Sequence, residues 1–196
     1  MEERSRRIVE TAVELAEQGG FEAVRLRDVA SRAGVALGTL YRRFRSKEDL
    51  LLAALQQEVD DLRERVESRP PEGDTPLERA IAFFRIVTRA LCRRPNLTRA
   101  LIRALATGEP ELTQKVAAFH SELMRLLAAS LRGADARPAS ARDLELANVL
   151  QHVWFSSLIG WTGGVHGQAA IIEQTRRAAE LLLEADRARG RDLSPR

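Results

Sequence analysis

Apolar residues recur every three to four positions along most of this chain, and that periodicity predicts one helix after another. Ile8, Ala12, Leu15 and Ala16 fall at i, i+4, i+7 and i+8, with Val9 and Val13 widening the stripe, the pattern of a helix with one buried face. Gly19-Gly20 ends it, because glycine takes a left-handed cap without Cβ strain, and Phe21 and Val24 pack the turn that follows. A second short helix, about Arg27 to Ala33, buries Leu26, Val29 and Ala30. Gly34 supplies a tight bend into a third helix, about Leu37 to Phe44. Ser46 stands three before Asp49 and caps a long fourth helix, Lys47 to Glu67, whose apolar stripe runs from Leu50 to Val66.

Arg69-Pro70-Pro71-Glu72-Gly73-Asp74 reads as a linker. Thr75-Pro76 then opens a fifth helix as N-cap and first-turn proline. Pro95, Gly108-Glu109-Pro110 and the stretch from Gly133 to Pro138 divide the remainder into helices near 96–106, 110–131, 140–162 and 168–188. No β-branched alternating run stands between turn signals, so no strand is expected. The predicted fold is all-α, about nine helices: a three-helix helix-turn-helix head over residues 1–46, joined to a helical-bundle body over 47–196.

Charge sharpens this division. Residues 1–47 hold ten basic and seven acidic side chains, so the whole formal charge of +3 lies in the first quarter of the 196 residues. Between residues 25 and 47 seven basic groups face Asp28 alone. A segregated charge of this kind is an electrostatic footprint for a polyanion, whereas an evenly spread one is only a solvated surface. The run Gly34-Val35-Ala36-Leu37-Gly38-Thr39-Leu40-Tyr41-Arg42-Arg43-Phe44 alternates apolar anchors with hydroxyls and guanidiniums. Such a helix is pinned to a small core on one side and faces a phosphate backbone on the other. The single cysteine, Cys92, excludes an internal disulfide and, with no early apolar leader, fits a cytoplasmic protein. His120, His152 and His166 share no metal-ligand spacing, and no nucleotide-binding glycine loop or local hydrolase signature occurs. No enzyme, metal or cofactor is expected.

With these residues in view, the run Arg27-Asp28-Val29-Ala30, Ala33-Gly34-Val35, Gly38-Thr39-Leu40-Tyr41, Phe44 and Ser46-Lys47-Glu48-Asp49-Leu50 resembles the head of TetR-family transcriptional repressors over about residues 6–55. The resemblance implies a homodimer formed through the last two helices, a palindromic double-stranded DNA operator, and a small molecule in the body that releases it. It also implies that Thr39, Tyr41 and Lys47 clamp phosphates, contacts that set register rather than read sequence. Leu37, Arg42 and Arg43 match the face turned to the groove. Either arginine reads a guanine, or both meet only phosphate while Tyr41 stacks on the core; Ala36 and Leu37 can meet thymine methyls. Arg25 and Arg27 complete the DNA-facing set. Two departures stand out: Arg25 or Val24 and Ala36 occupy positions where many relatives carry Ser or Thr caps.

In the body, Arg94-Pro95-Asn96-Leu97 and Val153-Trp154-Phe155-Ser156-Ser157-Leu158 resemble KstR-type repressors of sterol and lipid catabolism, which implies a bulky lipid-like or acyl-CoA effector. Phe84, Phe119, Met124, Trp154 and Phe155 are candidate pocket residues, with Trp154, Phe119 and Phe84 as its wall; plain core packing is the alternative. Arg99 and Arg103, one turn apart, either meet an anionic effector group or form a solvated face. Small residues Ser157 and Gly160 beside Trp161, and the apolar Ala170, Ile171, Ala178, Leu181, Leu182 and Ala185 of the final helix, are expected at a two-fold dimer interface. Two other readings stay open: a lipid-binding module whose head engages protein, and a DNA-binding regulator without an effector.

Overall fold

In the computed structural model, residues 2–106, 108–133 and 138–192 are described, with side chains described for 3–106, 108–133 and 138–184. Among them the chain forms α1 (Glu2–Ala23), α2 (Leu26–Arg32), α3 (Leu37–Arg43), α4 (Lys47–Ser68), α5 (Pro76–Cys92), α6 (Pro95–Leu105), α7 (Thr113–Arg132), α8 (Ala141–Thr162) and α9 (Gln168–Asp192). A single 3₁₀ turn, Pro110–Leu112, precedes α7. The all-α expectation holds, and each predicted helix is present within a few residues of its expected ends.

Local chemistry explains those ends. Gly19 (φ −142°) and Gly20 (φ +68°) leave helical geometry inside α1, so its regular part stops where the glycine pair predicts. Ser46 Oγ accepts the Asp49 N–H (3.1 Å), and the Asp49 carboxylate accepts the Arg45 N–H (3.0 Å), closing the first turn of α4. Thr75 Oγ1 accepts the Glu78 N–H (3.2 Å) while Glu78 accepts from Asp74 (2.7 Å) and Thr75 (3.2 Å), a reciprocal cap for α5. Ser140 and Asp143 form the same box at α8.

The chain packs as two compact units, residues 1–62 with 91–120, and residues 63–90 with 121–196. In the first unit, α2 packs on α1 and on α3, and α6 lies along α1. Ile8, Val9, Ala12, Leu15, Leu40 and Leu50 form its interior with Leu97, Ala100 and Leu101 of α6. Arg94, just before α6, reaches Glu17 of α1 and Glu58 of α4 (2.7 Å), and Asn96 Nδ2 donates to the Glu17 carbonyl (3.0 Å). Burial lowers the Arg94 pKa, and the two carboxylates offset that desolvation. Phe119 belongs to this unit, its ring edge-on to His120 at 5.1 Å.

In the second unit, α8 packs along α9. Phe83, Phe84, Leu127, Leu150, Trp154 and Leu158 are fully buried. Phe84 stacks on Trp154 with ring centroids 5.7 Å apart, and Trp154 Nε1–H donates to Thr88 Oγ1 (2.9 Å). Arg79 of α5 donates to the carbonyls of Leu131 (2.8 Å) and Gly73 (2.9 Å). Glu122 is held by Arg63 (2.6 Å) and by Arg125, and the Arg63 hydrogen bond keeps its carboxyl below the usual range.

The buried indole fixes one expectation. Thr88→Val keeps the shape but removes the acceptor of Trp154 Nε1–H, leaving a buried donor unmatched. It should cost about 1–3 kcal/mol of stability, read as a lower urea midpoint by circular dichroism.

Candidate nucleic-acid interface

The helix-turn-helix is built by a few short-range constraints. Val29 and Ala30 bury one face of α2. The Ala33 N–H donates to the Val29 carbonyl (2.9 Å), and the Val35 N–H to that of Ala30 (3.0 Å), so the chain folds back under α2. Gly34 makes the corner at φ +65°, a conformation costly to any residue with a Cβ. Arg7 Nη2 donates to the Ala33 carbonyl (2.9 Å), tying α1 to the turn. Leu40 and Phe44 then sink into the head's interior, at 0% and 6% exposure. Neither Arg25 nor Ala36 makes a side-chain cap to the helix it precedes, as the two departures predict.

What remains outward on α3 is the predicted set. Tyr41 is 51% exposed, so its ring is not enclosed in the core. Gly38, Ala36, Arg42 and Arg43 are exposed, and Leu37 and Thr39 are half-buried. Arg42 Nη2 donates to Thr39 Oγ1 (3.1 Å), which leaves the threonine O–H free to donate outward. Beside α3 lies a depression of about 410 Å³ lined by Val24 to Asp28, Tyr41 and Lys47. The fold therefore brings Arg25, Arg27, Tyr41 and Lys47 to one concavity, although Arg25 and Lys47 lie 22 positions apart. A phenol, an ammonium and two guanidiniums line it with one exposed carboxylate, Asp28, and a second, Glu22, stands beside the ammonium. This arrangement can hold phosphate oxygens.

Lys47 is aimed rather than loose. Its Nζ stands 3.8 Å from the Phe21 ring centroid and 3.4 Å from Glu22 Oε2. Arg103 of α6 meets the same two residues. Sequence reasoning left Arg103 between an effector contact and a solvated face; the fold gives it to Glu22. It also missed Gly38. A Cβ built there meets no side chain or neighbouring element within 4 Å, so nothing in the chain requires glycine at that point. The signal was its place in the first turn of a short helix, where glycine forms helix less readily than alanine.

The body candidates divide. Phe84 and Trp154 are together and fully buried, Met124 and Phe155 are half-buried in the same unit, and Phe119 belongs to the first unit. An apolar groove of about 220 Å³ lies between Leu105, Leu112, Val116, Ala117 and His120. Ser157, expected at a dimer interface, is buried within its own chain and donates to Gln174 Oε1 of α9 (2.6 Å). Gly160 has a second reason to be small, since a Cβ there would lie 2.6 Å from His166 Nε2. Trp161 and Leu182 are half-buried and Leu181 is 70% exposed; Ala185 lies outside the described side chains. Val149, His152, Ser156 and Ile159 form an outward stripe at helical spacing on α8. Burial pushes the Cys92 thiol up to about 11, which keeps it protonated near neutrality. Among the described residues no three His, Cys, Asp or Glu side chains are grouped to hold a metal ion. No helix of those residues is long and apolar enough to cross a membrane.

Comparison with known proteins agrees with this geometry. Residues 8–54 match the family of bacterial regulatory proteins, tetR family, and residues 73–182 match the tetracyclin repressor-like C-terminal domain. The chain is 38% identical to the HTH-type transcriptional repressor KstR of Rhodococcus jostii (strain RHA1), over 92% of this chain and 83% of that protein. A TetR transcriptional regulator from Rhodococcus sp. RHA1 superposes with a TM-score of 0.81 at 28% identity, covering 93% of this chain and 96% of the other. Thermus thermophilus FadR, solved in complex with lauroyl-CoA, has the same fold, with a TM-score of 0.72 at 24% identity over 92% and 93% of the two chains.

Two glycines of the head should respond oppositely to alanine. Gly34→Ala forces a left-handed backbone on a residue with a Cβ and should cost about 1–2 kcal/mol. Gly38→Ala replaces a helical glycine in open space and should stabilise the head by up to about 1 kcal/mol. Thermal unfolding followed by circular dichroism measures both.

Proposed function

The chain belongs to the TetR family of bacterial regulatory proteins, and on that premise we propose how its parts divide the work of a ligand-responsive repressor. Residues 1–46 bind DNA, helped by Lys47 at the start of α4; residues 47–196 bind the effector and join two copies. Thr39, Tyr41 and Lys47, with Arg25 and Arg27, grip phosphates, while Leu37, Arg42 and Arg43 lie against the groove. Gly38 is small because the DNA backbone comes close there. The observation that carries this reading is the convergence of Arg25, Arg27, Tyr41 and Lys47 on one concavity at the edge of α3.

One seven-residue recognition helix reads too little sequence alone, so a second copy supplies the other half of a palindromic operator. The outward stripes support the face it uses: Val149 (39% exposed) and Ile159 (45%) on α8, and Leu181 (70%) on α9. Such apolar exposure on adjacent helices of a soluble regulator marks a partner surface. Acting on DNA places the protein in the cytoplasm.

For the effector we propose an apolar acyl thioester, long-chain or sterol-derived. Two observations support it, the likeness to KstR repressors and the lauroyl-CoA bound by the Thermus neighbour, and Phe84, Trp154 and Phe155 are the candidate aromatic residues for it in the matched C-terminal region. Binding favours a spacing of the two heads that cannot engage both half-sites.

A gel shift on the DNA flanking the coding region, repeated across salt concentrations, tests the head. Lys47→Ala should weaken all DNA binding and lower the log–log salt slope by about one per lost phosphate contact; an unchanged slope would remove Lys47 from the clamp. Adding long-chain or sterol-derived acyl-CoA should free the DNA whereas coenzyme A alone should not, and retention of the complex at saturating levels of both thioesters would refute the effector. The Ile159→Asp, Leu181→Asp double variant should run as a monomer in light scattering and lose operator affinity, with its helicity intact.

A further inference from the structure

Lys47 is surrounded by an arrangement that the clamp reading does not explain. The last turn of α1 presents Phe21 and Glu22 side by side, and two cations from other helices meet both residues. Lys47, at the start of α4, places Nζ 3.4 Å from Glu22 Oε2 and 3.8 Å from the Phe21 centroid. Arg103, near the end of α6, places Nη1 2.7 Å from Glu22 Oε1 and its guanidinium carbon 4.2 Å from the same centroid. All four residues lie in one compact unit.

The two contacts to Glu22 are unequal. The short one belongs to the arginine, the long one to the lysine. One carboxylate shared by two cations leaves the group with a net charge of +1. Were Arg103 absent, Glu22 and Lys47 would be a neutral pair, and a phosphate would have to compete with the carboxylate for the ammonium. The lowered pKa of Glu22, caused first by Lys47 and then by Arg103, agrees that the carboxylate is ionised and shared.

We propose that Arg103 is a positioning residue for the phosphate clamp: by holding Glu22 it keeps the Lys47 ammonium directed over Phe21 yet uncommitted. Because Arg103 rides on α6, any displacement of α6 changes the electrostatics of a DNA contact inside one protomer. This route needs no change in the spacing between two heads. It rests on the clamp role of Lys47, and the experiment separates the two.

Operator affinity is measured by gel shift at several salt concentrations for the wild type, R103Q, E22Q, the E22Q/R103Q double variant and K47A. All three side chains are more than a quarter exposed, so each variant is expected to fold, and circular dichroism checks that. R103Q should weaken binding about three- to tenfold on a two-half-site operator, as two exposed ion-pair couplings allow, and should lower the salt slope. In the E22Q background the same substitution should change affinity by less than about twofold. Equal losses in both backgrounds would mean that Arg103 acts through its own charge, and would overturn the proposal, as would an R103Q protein with wild-type affinity. If K47A alone leaves affinity and slope unchanged, the clamp fails. If K47A weakens binding while R103Q does not, only the positioning role fails. A DNA-free reading comes from carbon-13 spectra: Lys47 and Lys115 are the only two lysines. The Lys47 side-chain resonance should move in R103Q and return toward its starting position in the double variant.

Discussion

A seven-residue helix cannot hold itself together in water, because nucleation costs more than so few hydrogen bonds return. The recognition helix α3 therefore exists only through what it buries, and it buries little: Leu40 within the helix and Phe44 just beyond it. The rest of the head serves that anchorage. Gly34 makes the corner, Arg7 ties the corner's carbonyl to α1, and α2 packs between. With neither short helix capped by a side chain, packing carries the stability that capping supplies in other helix-turn-helix heads. The outward face is thereby left free to be chosen for DNA.

Much of this was legible in the sequence because it is local. Ser46 and Asp49, Thr75 and Glu78, and Ser140 and Asp143 are three residues apart, so a cap can be read without knowing the fold. The break at Gly19-Gly20 and the positive φ at Gly34 follow from missing Cβ atoms. The seven-to-one charge imbalance between residues 25 and 47 marked the head as facing a polyanion, and the DNA-facing residues themselves came from its resemblance to TetR-family heads. That the same residues share a concavity is a property of the fold.

What could not be read is long-range. Arg94 with Glu17, Lys115 with Asp49, and Arg103 with Glu22 join positions 66 to 81 apart, and in a chain with 31 basic and 28 acidic groups no pairing is privileged by sequence. Of the aromatic wall drawn from helix assignment alone, Phe84 and Trp154 do stack, while Phe119 turns to His120 in the other compact unit. Small residues also have a use within the chain. Ser157 and Gly160 permit close approach there, toward Gln174 and His166. Val149, Ile159 and Leu181 are the large apolar side chains that α8 and α9 leave exposed among the described residues.

Both tryptophans of the chain, Trp154 and Trp161, lie on α8, and the only tyrosine, Tyr41, lies on α3. The indole of Trp154 is sealed and hydrogen-bonded to Thr88, whereas Trp161 is partly open. The molecule thus carries two separate intrinsic chromophore sets, tyrosine on α3 and tryptophan on α8. Indole emission reports on the C-terminal helices without contribution from the DNA-facing surface. Any change in that emission when the head engages a duplex is transmitted signal, visible without attaching a dye.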